Sequence, residues 1–226
     1  MLTKYLSFSS QKHLLILLLV FSFVFMAKGQ DPLRFEEEVV QIQQKYEEVP
    51  PLEEAIVFTG SSSIKMWKDI QSYFPEQPII NTGFGGSQTS DLIQYVDELI
   101  IQYQPIKVFI YEGDNDISEG KPTSEIMEDM HTLVGKIKSK LPEAQIFLIS
   151  AKPSISRWHL KENYLELNRH LKEYTQSHEN LEFVDVWTPM LDGEGNPRAN
   201  IFLEDQLHMN QTGYDIWSEV LDKYIH

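Results

Sequence analysis

One feature constrains this chain more than any other. Five short apolar runs, each ending in glycine or polar residues, alternate with stretches of helical spacing. The runs are Ala55–Thr59, Ile79–Asn81, Lys107–Tyr111, Gln145–Ile149 and Leu181–Asp185. Runs so short and so apolar suit strands buried on both faces. Between them, apolar residues recur every three or four positions. Phe35, Val39, Ile42 and Tyr46 mark a helix over 33–48, which Pro50-Pro51 should end. Leu92, Val96, Leu99 and Tyr103 mark a second, and Ile126, Met130, Leu133 and Ile137 a third that Pro142 closes. Tyr164, Leu167, Leu171 and Tyr174 mark a fourth, and Ile216, Trp217, Val220, Leu221 and Tyr224 the last. Strands separated by helices need right-handed crossovers, which gives an α/β fold with a parallel sheet and helices on both faces. At 226 residues, without internal repeat or linker, the chain is read as one domain.

The amino-terminal end reads differently. Lys4, Lys12 and His13 precede Leu14–Phe25, in which only Ser22 is polar, and Ala27 and Gly29 flank Lys28 before Gln30. A basic stretch, a short apolar stretch and small residues at a cut describe a signal peptide over 1–29, with the domain at 30–226. The apolar stretch is short of the roughly 20 residues that span a bilayer. The expectation is therefore a secreted or periplasmic protein with no stable membrane insertion after cleavage. The chain has no cysteine, which excludes disulfides, thiolate metal sites and a cysteine nucleophile. Its formal charge of −15 repels phosphate backbones, so nucleic acid is not an expected partner.

In open parallel sheets, ligands bind beyond the carboxyl ends of the strands. Those ends carry Gly60-Ser61-Ser62-Ser63, then Asn81-Thr82-Gly83-Phe84-Gly85-Gly86-Ser87, then Glu112-Gly113-Asp114-Asn115-Asp116, then Ser150 to Ser154. The loop after the fifth run ends in Asp205-Gln206-Leu207-His208. A serine hydroxyl becomes a nucleophile when a base takes its proton. His208 can be that base, and Asp205, three residues earlier, can hold its Nδ1–H. A tetrahedral oxyanion needs preorganised donors. Gly85-Gly86 offers backbone N–H groups without a side chain, Asn115 an amide, and the serine its own N–H. Any of the three serines fits this reading.

These blocks, in this chain order, resemble the GDSL/SGNH hydrolases. Gly60-Ser61-Ser62 is similar to the family's Gly-Asp-Ser turn, with Ser61 where the family has Asp. Asn81 to Gly86, Gly113-Asp114-Asn115-Asp116 and Asp205 to His208 match its other blocks. The resemblance implies a flavodoxin-like three-layer α/β/α sandwich with a five-stranded parallel sheet. It also implies a triad of Ser62, His208 and Asp205, an oxyanion hole from Ser62, Gly86 and Asn115, and ester hydrolysis through an acyl-enzyme without a cofactor. The segment from Lys152 to Trp158 is similar to platelet-activating-factor-acetylhydrolase-like members, which points to a short acyl group such as acetyl, on a small-molecule or glycan-borne ester.

Two other readings compete. A carbohydrate-binding module could keep this fold without the chemistry. A metal-dependent hydrolase could use Asp114, Asp116, Asp205 and His208; no metal is expected on the preferred reading, where Asp114 and Asp116 shape the turn that holds Asn115. Trp67, Tyr111, Arg157 and Trp158 lie near strand ends and are candidate substrate contacts. Glu36, Glu37 and Glu38 read as a solvated helix face.

Overall fold

The computed structural model describes residues 31–47, 49 and 52–226. The expected leader at 1–29 and the Pro50-Pro51 stop lie outside the described residues. Five strands form the sheet: β1 (Ile56–Gly60), β2 (Ile79–Asn81), β3 (Lys107–Tyr111), β4 (Gln145–Ile149) and β5 (Leu181–Val184). Every pairing is parallel and the order is β2-β1-β3-β4-β5. This is the doubly wound flavodoxin order, in which the chain reverses direction across the sheet between β1 and β3. The crevice that opens there lies beyond Gly60 and Tyr111.

Side-chain alternation along each strand feeds two cores, one per face. Val57, Val108, Ile110, Ile146 and Leu148 point to one core. They meet α1 (Glu36–Glu47), α4 (Thr89–Gln94), α5 (Val96–Leu99), α7 (Thr123–Lys140) and α8 (Lys161–Gln176). Ile56, Phe58, Phe109, Tyr111, Phe147 and Ile149 point to the other. That face is covered by α2 (Ser62–Lys65), α3 (Ile70–Tyr73) and α9 (Gln211–Ile225). Phe58, Phe109 and Phe147 stack across neighbouring strands with ring centroids 4.4 Å apart. α6 (Asp114–Ser118) follows β3 directly. Among the described residues, no helix is long and apolar enough to cross a membrane.

The structure revises several expected boundaries. The helix expected from Leu92 to Tyr103 is broken into α4, α5 and a 3-10 turn at Ile101–Tyr103. The break at Ile100, with φ −131°, interrupts the backbone ladder, while Leu92, Val96 and Leu99 stay buried against the same core. The first helix is shorter than expected, starting at Glu36. Asn210 in the Asn-Gln-Thr sequence caps α9: its side chain accepts from Gly213 N at 3.3 Å and donates to Asn200 O at 2.9 Å.

Candidate active site

β1 ends in a turn that only glycine permits. Gly60 sits at φ +117°, and a Cβ there would lie 2.1 Å from Tyr111 O. The chain then enters α2, with Ser61 as its cap residue. Burial separates the three serines. Ser61 and Ser63 are 2% and 3% exposed, whereas Ser62 is only partly buried. Ser62 Oγ lies 3.0 Å from His208 Nε2, across 146 residues of sequence. His208 Nδ1 lies 2.6 Å from Asp205 Oδ2. The other Asp205 oxygen accepts from the N–H groups of Leu207 and His208, both at 2.9 Å. Burial raises the Asp205 carboxyl, but the bonds from His208 and these amides outweigh it and bring it down to about 2. A hydroxyl, an imidazole and a carboxylate thus stand in hydrogen-bonded series.

Three donors are assigned to an oxyanion: the Ser62 N–H, Gly86 and Asn115. The Ser62 N–H belongs to the first turn of α2, where amides lack an intrahelical acceptor. Gly86 is exposed at φ +79°, with nothing within 4 Å of where a Cβ would stand. Its neighbour Gly85 is committed elsewhere, because its N–H donates to Glu38 Oε1 at 3.0 Å. Glu38 also pairs with Lys65 of α2 at 2.8 Å. Glu38 is therefore a clamp between α1, α2 and the glycine loop, which corrects the expectation of a solvated face at this residue, while Glu36 and Glu37 are exposed as expected. Asn115 directs Nδ2 to Ser61 Oγ at 2.6 Å and to Ser87 O at 2.8 Å. Ser61 is thus a hydrogen-bond partner of the amide. Ser61→Ala should hold kcat within about threefold, because it removes an acceptor that competes for that amide; a much larger loss would make Ser61 part of the chemistry.

Beneath Asn115 lies a buried ionic cluster. Asp114 is 5% exposed and accepts from Tyr111 OH at 2.7 Å, from Tyr164 OH and from Arg157 Nη1. The ammonium of Lys152, 1% exposed, lies 3.8 Å from it and donates to Leu207 O at 2.8 Å. Burial drives the Asp114 carboxyl up, but Lys152 and Arg157 more than offset that and hold it below the ordinary carboxyl value. Asp116 turns away to Lys121 at 2.8 Å. The two aspartates weighed as metal ligands therefore face cationic side chains on separate elements. Glu112 is buried and bonded to Ser87 Oγ at 2.6 Å; burial, then the nearby Asp116, raise its carboxyl well above the usual range.

The four candidate substrate contacts fare differently. Trp67 is fully buried, stacked on Tyr214 at 5.2 Å. Tyr111 is fully buried as well and spends its hydroxyl on Asp114. Neither can line a pocket, because both point into the core of the β1–β3–β4 face. Trp67→Ala should cost about 3–5 kcal/mol of stability and leave KM unchanged, which a denaturant melt beside steady-state kinetics would check. Arg157 is held from inside by Asp114 and Asn115 rather than left free for a ligand. Trp158 is half-buried and stacks on Trp187 at 5.8 Å.

Beyond the switch point of this doubly wound sheet, serine, histidine and aspartate thus stand in hydrogen-bonded series. The chain belongs to the GDSL-like lipase/acylhydrolase family, whose model matches residues 59–216. No curated protein matches the chain. Among solved structures, a Streptococcus pneumonia protein described in terms of platelet activating factor superposes with a TM-score of 0.75 at 24% identity, over 85% of this chain and 94% of that one. A GDSL-like lipase from Bacteroides thetaiotaomicron gives 0.71 at 19%, over 86% and 98%. An acetylxylan esterase from Geobacillus stearothermophilus, solved as a catalytic mutant, gives 0.64 at 17%, over 78% and 95%. At these identities the likeness is one of fold.

Proposed function

We propose that this protein is an exported serine esterase that removes short acyl groups, acetyl above all, from glycan-borne or small-molecule esters. The observation that carries the reading is the unbroken series from Ser62 Oγ through His208 to Asp205, at 3.0 and 2.6 Å. Ser62 Oγ attacks the ester carbonyl carbon as His208 Nε2 takes its proton. Asp205 holds Nδ1–H and stabilises the imidazolium. Ser62 N–H, Gly86 N–H and Asn115 Nδ2 receive the oxyanion. The intermediate collapses to an acyl-Ser62 ester, and the imidazolium returns its proton to the departing alcohol. Water, deprotonated by His208, then attacks the acyl-enzyme and releases the carboxylic acid.

The acyl preference rests on the fold shared with the Geobacillus acetylxylan esterase and on the acidic surface, which favours a neutral substrate. Export rests on the residues before Gln30, which read as a cleaved leader. The test is a series of p-nitrophenyl esters of rising acyl length beside acetylated xylan, with fluorophosphonate labelling and peptide mapping. Labelling at Ser62, with turnover falling beyond short acyl chains, is expected. A folded protein that takes no label would be a binding module on this scaffold instead. Asn115→Ala should keep the melting temperature and lose about 10²–10³ in kcat; equal kcat in the purified variant would remove Asn115 from the oxyanion hole.

A further inference from the structure

The Asn115 amide can serve an oxyanion only if Nδ2, and not Oδ1, faces the reacting centre. Two groups set that orientation. Ser87 O, which can only accept, takes Nδ2 at 2.8 Å. Arg157 Nη2, which can only donate, bonds to Oδ1 at 3.1 Å. The other guanidinium nitrogen, Nη1, is held by the Asp114 carboxylate and by Asp114 O at 3.3 Å. Asp114 in turn is fixed by the hydroxyls of Tyr111 and Tyr164 and by Lys152. The planar fork of arginine is what lets one side chain engage both partners at once.

We propose that Arg157, anchored by Asp114, is a positioning residue of the oxyanion hole, holding the Asn115 amide in its donor orientation from the side opposite Ser87 O and strengthening that donor. The strengthening follows from polarisation: a positive donor on the amide oxygen draws electron density from the nitrogen and makes its N–H groups better donors. The proposal rests on the serine esterase reading of the site. It gives Arg157 a role through Asn115, not through contact with substrate.

The test is a double-mutant cycle on p-nitrophenyl acetate, with the rate of fluorophosphonate labelling as a second readout. Wild type must first turn over ester or take label at Ser62. If it does neither, the esterase reading fails and the positioning role falls with it. Given an active wild type, Arg157→Met is expected to lower kcat about tenfold to a hundredfold with KM little changed. In an Asn115→Ala background the same substitution should have no further effect, since its only route is then gone. Arg157→Lys should fare as badly as Arg157→Met, because an ammonium can balance Asp114 but cannot also reach the amide oxygen in the fork geometry. Three results would overturn the proposal. Additive losses in the cycle would make Arg157 a general support of the fold. Full rescue by lysine would make it a charge partner of Asp114 alone. A raised KM with unchanged kcat would make it a substrate contact. The Arg157 side chain is 18% exposed, so these variants disturb the buried cluster less than changes at Asp114 or Lys152.

Discussion

Ser62→Ala is expected to lower kcat on short-chain esters by about 10⁶, the scale of loss when the nucleophile of such a triad is removed. The melting temperature should stay near that of the unaltered chain, because Ser62 is only partly buried and its hydroxyl bond runs to a half-open histidine. The prediction is sharp because two neighbouring hydroxyls provide internal controls. Ser61 bonds to Asn115, and the Ser63 backbone carbonyl accepts from Tyr214 OH at 3.1 Å. Both side chains are buried, and no hydrogen bond links either to His208. Ser63→Ala keeps that carbonyl and removes no bond of the series, so it should leave kcat nearly unchanged. If Ser62→Ala retains a tenth of the activity while Ser61→Ala or Ser63→Ala loses it, the nucleophile is misassigned and the chemistry must be rebuilt from a different serine.

Much of the scaffold that presents Ser62 is legible in the sequence, and the reason is burial. Strands such as Val108–Tyr111 are covered on both faces, so nearly every position must be apolar, and glycine or polar residues mark where cover ends. The long helices α7 and α8 bury one stripe each and keep their period. The pattern fails where a stripe survives but the backbone does not. Leu92, Val96 and Leu99 keep helical spacing and all reach one core, yet Tyr95 and Ile100 leave the helical backbone. Periodicity reports the buried face, not the hydrogen bonds behind it. The one-turn helices α2, α3 and α6 are too short to show any period.

The site divides along similar lines. Ser62 and Asn115 stand at the starts of the short helices α2 and α6, and Asp205 and His208 in a loop. All are polar residues beyond strand ends, and their order along the chain matches the order of those ends. Trp67 and Tyr111 look like rim aromatics in the sequence because they stand beside those same strand ends. Tyr111 stands two residues beyond Phe109 and so shares its face, but only the fold shows that Trp217 of α9 keeps that face covered at the strand end. The Asp114, Lys152 and Arg157 cluster is the least legible part. Its members are brought together by the pairing of β3 with β4, a contact that no local pattern encodes. Two cations closely following an apolar strand were the available signal. Glu38 is similar, since its partners Lys65 and Gly85 lie far along the chain.

Asp205→Asn carries the second largest expected effect, about 10⁴ in kcat, with KM nearly unchanged. Hydrogen-bond direction sets this effect. Asp205 Oδ1 already accepts from the N–H groups of Leu207 and His208, so an amide oxygen would stay there and the new NH₂ would face His208 Nδ1. That nitrogen would then have to accept, the ring proton would move to Nε2, and Ser62 would face a donor instead of a base. The same substitution has a pH signature. The Asp205 carboxyl is depressed to about 2 in the folded chain, against an ordinary value near 4. A depressed carboxyl contributes stability above its unfolded value and loses it as pH falls towards the folded one. The melting-temperature gap between the unaltered chain and Asp205→Asn should thus close between about pH 4 and pH 2. A gap that does not narrow over that range would mean that these bonds do not hold Asp205 ionised, and its assignment as the partner of His208 would fail.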